Sequence, residues 1–353
     1  MPRPIQIYID QSALENNLHR VRQVTSARIM AVIKANGYGH GLLRVAEALA
    51  AADGFAMLDI QDAVRLREQG YRQTLLLLEG YFDKSDLALI AEYNLSCVIH
   101  SQWQIQLLDA YPGRATLDVW LKVNSGMHRL GFAPAQVSAA MESLRRHPAI
   151  REITLMSHFS HADEARGVSS QLEVINEIGA EYRIARSMAN SAALLRYPAT
   201  HGDWVRPGIM LYGASPFADT SARQLGLKPV MTLSSRIIAT QDLSAGDEVG
   251  YAGQFRADRA MRIGVVACGY ADGYPRHAPT GTQLNVDGQK TQLLGRVSMD
   301  MLCVDLTHLP QAGEGSTVTL WGGDLPIETV AASAKTISYD LMCAVTARVP
   351  VRI

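Results

Sequence analysis

The sequence predicts an α/β protein with an N-terminal (β/α)8 TIM barrel followed by a C-terminal, mainly β domain. Three observations carry that prediction. Eight short apolar runs of strand length recur through the first two thirds of the chain. Amphipathic, helix-like stretches separate them. Near Lys228 the texture changes to strand runs broken by Gly and Asp turns. At 353 residues, with 48% hydrophobic and 19% charged, the chain has room for a barrel core plus a second domain and lacks the composition of a disordered one.

The runs are IMAVIK (29–34), GFAMLDI (54–60), TLLLLEG (74–80), LSCVIH (95–100), LDVWLKV (117–123), ITLMSHF (153–159), YRIARSM (182–188) and DWVRPGIMLYG (203–213). Each has the length and apolar content of a buried parallel strand. Between them lie helix-like segments such as 41–52, 60–70 and 101–110. In the second of these, Ile60, Ala63, Val64 and Leu66–Arg67 form one inward stripe, and Gly70 follows as its C-cap. An open doubly wound sheet shares this local signature; the count of eight favours the closed barrel.

After Pro229 come MTLSSRIIAT, EVGYAG, RIGVVACGY, QLNVDGQKTQLLGRV, MLCVDL and TVTLWGG, and Asp287-Gly288 reads as a hairpin turn. Helical periodicity returns only near Glu328, as a short tail. The expected domains are residues 9–226 for the barrel and 227–353 for the β-rich unit. Residues 1–8 either pair with the second domain or lead into the barrel.

Composition excludes several classes of function. A formal net charge of −1, with no long run of one sign, provides no basic footprint for nucleic acid. The four cysteines form no C-x-x-C pair and read as buried free thiols of a reduced cytosol. The opening MPRPIQIYID lacks the apolar core of a signal peptide, and no apolar stretch is long enough to cross a membrane. A soluble cytoplasmic protein is expected, with no metal.

In such a barrel the working residues project from the carboxyl ends of the strands. Run one ends in Lys34, run five in Lys122 and run six in His158; Asn190-Ser191 follow run seven, and run eight carries Arg206 before Pro207-Gly208-Ile209. A lysine closing an apolar strand is desolvated, which lowers its amine pKa and suits it to Schiff-base chemistry. A lone lysine there is more simply one that reaches solvent, but the loop Asn36-Gly37-Tyr38-Gly39-His40-Gly41 shifts the balance. Its three glycines and a tyrosine hydroxyl just before a helix suit close approach to a phosphate. His158 and His161, near Asp163 and Glu164, invite a metal reading, yet no distant ligand set converges on them and packed histidines are favoured.

AVIKANGYGHG resembles the cofactor-attachment segment of the alanine racemases, fold-type III enzymes that use pyridoxal 5′-phosphate (PLP). The resemblance continues through LKVNSGMHRLGF (121–132), SHFSHADE (157–164), NSAA (190–193), DWVRPGIMLYG (203–213), VGYAG (249–253), GYADGYPR (269–276), GRVSMDM (295–301) and ISYDL (337–341). It covers nearly the whole chain in order and is nearest to the proteobacterial catabolic-type members. It implies that Lys34 binds PLP covalently and acts as one base, and that Tyr251 acts as the base on the opposite face, donated across a head-to-tail homodimer. It implies that Tyr38, Ser191, Tyr339 and the backbone amides of Gly208 and Ile209 bind the cofactor phosphate. Arg206 would face the pyridine nitrogen, His158 would lie against the ring, and Arg129 would contact the substrate carboxylate. Lys122 matches a lysine that is often carbamylated and then orients the arginine. Met299, through its backbone amide, and Asp300 would come from the partner subunit, with Tyr270 at the entrance.

An arginine only donates hydrogen bonds, so Arg206 would keep a facing ring nitrogen unprotonated. Lys122 and Arg129 would repel as two cations, and a carbamate would reverse that. Gly37 stands where alanine is frequent in the family, Asn124-Ser125 where Asp-Thr is frequent, and Ser298 where cysteine occurs. Two other readings keep the cofactor: an amino-acid decarboxylase of the same fold type, against which the chain is short, and a non-catalytic PLP-binding protein, which would not need the β-rich unit. Supply of D-alanine for peptidoglycan and its degradation use the same chemistry.

Overall fold

The computed structural model describes residues 3–111 and 116–353. The strand β1 (Gln6–Ile9) and a helix (Gln11–Val24) come first. A closed parallel barrel then follows: β2 (Arg28–Val32), β3 (Gly54–Met57), β4 (Thr74–Leu77), β5 (Ser96–Ile99), β6 (Leu117–Lys122), β7 (Ile150–Met156), β8 (Arg186–Ser187) and β9 (Trp204–Val205). Each of the eight apolar runs supplies one strand. β3 and β5 are buried at every position, as strands packed on both faces must be. β9 is short because Pro207 follows: it has no N–H for the ladder and holds Arg206 extended.

The inward stripe of the helix Ile60–Glu68 includes a charge. Ala63, Val64 and Leu66 are buried with Arg67, whose guanidinium donates to the carbonyls of Tyr71, Gln73, Tyr93 and Asn94. That arginine binds the segments entering β4 and β5 at the foot of the barrel, where carbonyls would otherwise lack partners. Gly70 follows the helix at φ +90°.

The second domain holds β10 (Met231–Leu243), β11 (Glu248–Val249), β12 (Phe255–Arg256), β13 (Met261–Val266), β14 (Gln283–Val286), β15 (Gln289–Leu294), β16 (Leu302–Asp305), β17 (Thr317–Trp321) and β18 (Val351–Arg352). β10 pairs with β17 along its first half and with β13 along its second, bending at a bulge between Ile237 and Ala239, so the sheet curls on itself. β14 and β15 form the expected hairpin, with Asp287 and Gly288 both at positive φ. The segment EVGYAG does not continue as a strand: Gly250, Ala252 and Gly253 have positive φ, and Tyr251 falls in a tight turn, Tyr251–Gly253. Two short helices, Ile327–Ser333 and Ser338–Ala344, make the tail. β1 pairs antiparallel with β10 and parallel with β18, so the opening strand belongs to this sheet rather than to the barrel. Cys97 and Cys268 are buried free thiols, whereas Cys343 is exposed. Among the described residues no helix is long and apolar enough to cross a membrane.

A buried amide ties the end of the barrel to the segment that leaves it. Asn17 is fully buried; its Nδ2 donates to the carbonyls of Leu211 (3.0 Å) and Lys228 (2.9 Å), and its Oδ1 accepts from the Lys228 N–H (2.8 Å). Asn17→Ala leaves three backbone groups without partners and is expected to lower stability by about 2–4 kcal/mol. Asn16→Ala, at a half-buried neighbour, should stay within about 0.5 kcal/mol of the parent. Urea unfolding of the two variants checks this, and equal midpoints would remove Asn17 from the account.

Candidate active site

The sequence places Lys34 at the end of an apolar strand, but β2 stops at Val32. Lys34 opens a left-handed turn in which Ala35, Asn36, Gly37 and Tyr38 all have φ between +51° and +61°. For residues with a Cβ this conformation costs about 1–2 kcal/mol each. Local bonds offset the cost. His40 Nδ1 donates to the carbonyls of Gly37 (3.0 Å) and Tyr38 (2.9 Å), and Asn36 Oδ1 accepts from the Leu42 N–H (2.8 Å). Burial lowers the His40 pKa to about 4, so the ring is neutral and carries its proton on the nitrogen facing the two carbonyls. Tyr38 stacks on buried Tyr212 with ring centroids 4.5 Å apart. A Cβ at Gly37 would come within 2.7 Å of Val45 Cγ2, a local reason for glycine here.

The turn borders a cavity of about 600 Å³ at the carboxyl ends of the barrel strands. Lys34 stands after β2, Glu79 after β4, Lys122 at the end of β6, His158 after β7, Ser191 after β8 and Arg206 after β9. Arg129 reaches the cavity from the loop between β6 and the next helix. That loop is closed at its base by bonds between Lys122, Asn124 and Phe132. Tyr38, Gly208, Ile209 and Tyr339 complete the set, Tyr339 arriving on the helix Ser338–Ala344 of the second domain. Glu79 was not among the expected residues. The strand-end rule applied to the run TLLLLEG would have found it.

Arg206 organises the back of the cavity. Its guanidinium is buried and donates to Ser187 Oγ (2.6 Å), to the Ser157 carbonyl (2.6 Å) and to the Met188 carbonyl (3.4 Å). Nη2 also lies 3.5 Å from His158 Nδ1, which must accept because arginine only donates. Burial lowers the Arg206 pKa to about 10, which leaves it charged at neutral pH. Desolvation and the nearby Arg206, Lys122, Arg129 and Lys34 keep His158 well below the usual imidazole range. Burial, then Arg206 and Arg129, bring the Lys122 amine down to about 8. Burial and Arg129 lower the Lys34 amine, while Glu79 pulls the other way. Four cationic side chains thus share one cavity with one carboxylate. Such a site favours anions.

One wall has the form of a phosphate cradle. The Ser191 hydroxyl accepts from the Gly208 N–H at 2.9 Å, and Ile209 begins a short 3-10 turn (Ile209–Tyr212), where N–H groups have no partner within the turn. A Cβ at Gly208 would lie 2.7 Å from the Tyr38 hydroxyl, so only glycine lets that hydroxyl approach this backbone. Burial raises the phenols of Tyr38 and Tyr339, the latter to about 12, which keeps both as neutral donors. A phosphate on an aromatic ring fits this lining and volume.

Four expected residues lie elsewhere. Tyr251, Met299 and Tyr270 sit on the second domain with 70%, 53% and 36% of their surfaces exposed, outside the cavity of their own chain. The Asp300 carboxylate is taken up by Arg348.

Comparison with known proteins agrees with this arrangement. The family model for the alanine racemase N-terminal domain matches residues 9–216, and that for the alanine racemase C-terminal domain matches residues 230–353. The chain is 57% identical to the alanine racemase of Nitrosospira multiformis over 99% of both chains, and 55% identical to that of Nitrosomonas europaea over 99% of this chain and 98% of the other. Its fold superposes on the biosynthetic alanine racemase of Pseudomonas aeruginosa with a TM-score of 0.96 at 46% identity, covering 99% of each chain. The alanine racemase of Acinetobacter baumannii follows with a TM-score of 0.93 at 38% identity, again over 99% of each. The chain belongs to the alanine racemase family.

Proposed function

We propose that the chain racemises alanine with PLP held in the barrel cavity, using Lys34 of one subunit and Tyr251 of the other as bases on opposite faces of the substrate, in a cytoplasmic homodimer. The observation that carries this reading is the division of the expected groups. Lys34 and its cationic neighbours converge in one cavity, whereas Tyr251, Met299 and Tyr270 are exposed on the second domain of the same chain. A phenol so placed can serve the cavity of a second copy.

When bound, the cofactor supplies an electron-withdrawing ring that acidifies the Cα–H of the attached amino acid. The rest falls to the chain. Lys34 holds and moves a proton at Nζ, helped by the lowered affinity of its amine for that proton. Tyr251 does the same at its phenol oxygen from the other side. Arg129 and the Met299 N–H receive the substrate carboxylate. Tyr38, Ser191, Tyr339, Gly208 and Ile209 hold the phosphate. His158 would pack beside the bound cofactor and Arg206 would donate toward it, with Tyr270 at the entrance. Enantiomers have equal free energy in water, so supply and removal of D-alanine follow from which is consumed.

Lys122 is the remaining cation. With its pKa near 8, a large fraction of the amine is neutral at mildly alkaline pH and can attack CO2, forming a carbamate and releasing a proton. The carbamate oxygens would then accept from Arg129.

Three outcomes test the reading. Tyr251→Phe is expected to lower kcat by about 10²–10⁴-fold. Exchange of the Cα hydrogen with deuterated water should survive for one enantiomer only. Equal racemisation from both enantiomers at the parent rate would refute the two-base scheme. Mixed dimers of Lys34→Ala and Tyr251→Phe subunits should regain activity, because one of the two sites then holds both bases; inactivity after verified subunit exchange would exclude shared sites. Labelled-bicarbonate NMR should show a carbamate signal that grows as pH rises through 8 and is absent from Lys122→Arg; a parent enzyme with no signal, and activity indifferent to CO2 removal, would exclude the modification.

A further inference from the structure

We infer that Arg3 and Arg348 act through Asp272 and Asp300 as positioning residues that hold Met299 and Tyr270 in the pose presented to the partner subunit. The inference rests on the shared-site reading and adds roles for Arg3, Asp272 and Arg348.

β1 and β18 run parallel, with Ile7 opposite Val351. Arg3 precedes one strand and Arg348 the other, so the pairing brings the two guanidiniums to the same end of the sheet. There they meet Asp272, whose carboxylate is fully buried. Arg3 donates from Nη1 to Oδ1 at 2.8 Å and from Nη2 to Oδ2 at 3.2 Å. Arg348 Nε donates to Oδ1 at 2.7 Å, and the Gly269 N–H donates to Oδ2 at 2.9 Å. Each guanidinium also reaches a second loop. Arg3 Nη2 donates to the Asp300 carbonyl at 2.7 Å, and Arg348 Nη2 donates to the Asp300 carboxylate. The two loops are joined directly by Tyr270 N–H to Ser298 O (3.1 Å) and Ala271 N–H to Met299 O (3.0 Å). Thr346 closes the third side, donating from its N–H to Asp272 O (3.2 Å) and from Oγ1 to Ala271 O (2.9 Å).

A buried carboxylate is tolerated when every oxygen is matched, and this one is. Above it stand Met299 and Tyr270, both exposed. Among the described residues the Met299 N–H has no acceptor. A charge network joining both ends of the chain beneath an exposed donor is arranged to fix where that donor points.

The test uses the PLP-loaded enzyme. Arg348→Met keeps an unbranched stem of similar bulk as far as Nε and removes both bridges; Arg3→Met is a second variant should the first fold poorly. Expected is a rise in KM of roughly tenfold or more for both enantiomers, with kcat less affected and the cofactor spectrum and affinity unchanged. Arg348→Lys should recover part of the loss. A lower Tm with unchanged KM would reduce the network to a structural brace and overturn the inference. Mixed dimers of Arg348→Met and Lys34→Ala subunits add a sharper readout. Their only site with Lys34 receives its loops from the chain with an intact Arg348, so KM should return to the parent value. A KM that stays raised would mean that the network acts on its own chain's cavity. The mixture of Lys34→Ala with Tyr251→Phe tests shared sites separately, so the two failures are told apart.

Discussion

Positive charge withheld from water is the constraint on which the mouth of the barrel depends. Lys122 and Arg206 are buried and Lys34 half-buried around one space that the exposed Arg129 also faces, and Glu79 is its one carboxylate among the described residues. Removing such charges from water is costly, and mutual repulsion adds to the cost. The chain limits it in two ways. Arg206 is fixed by three oxygens of the protein, so its charge is solvated by dipoles that do not move. The lysines respond instead by binding their protons less tightly, which is the property a proton-transferring or nucleophilic amine requires. The remaining imbalance is what an anionic ligand would relieve.

The shape of the site has a different origin. A barrel sets strand ends in a ring but does not aim individual groups; the connections do that. Here the first connection winds the wrong way for L-residues, and His40, Asn36 and the stack of Tyr38 on Tyr212 hold it there. The second domain is no appendage to this arrangement. Its helix Ser338–Ala344 brings Tyr339 to the cavity, and Asn17 clamps the end of the barrel to the segment that leaves it.

Much of this is legible in the sequence. Apolar runs of strand length gave all eight barrel strands, because strands buried on both faces leave little freedom in composition. Polar residues ending such runs marked Lys34, Lys122, His158 and Arg206. Other features were hidden for physical reasons. The pairing of β1 is a long-range contact that four residues cannot specify. The left-handed turn depends on a buried histidine and a stacked tyrosine remote in sequence. The role of Asp272 has no local signature, since its two arginines lie near opposite ends of the chain. The roles proposed for Tyr251 and Met299 rest on resemblance, because no spacing within one chain reveals which copy a side chain would serve.

The outward placement of Tyr251 has a consequence in mass action. If each cavity borrows its second base, a solitary chain is folded but incompetent, and turnover per chain declines on dilution as dimers separate. Catalysis then reports association. A small molecule wedged against the face bearing Tyr251 would silence the reaction without resembling alanine or touching the cofactor.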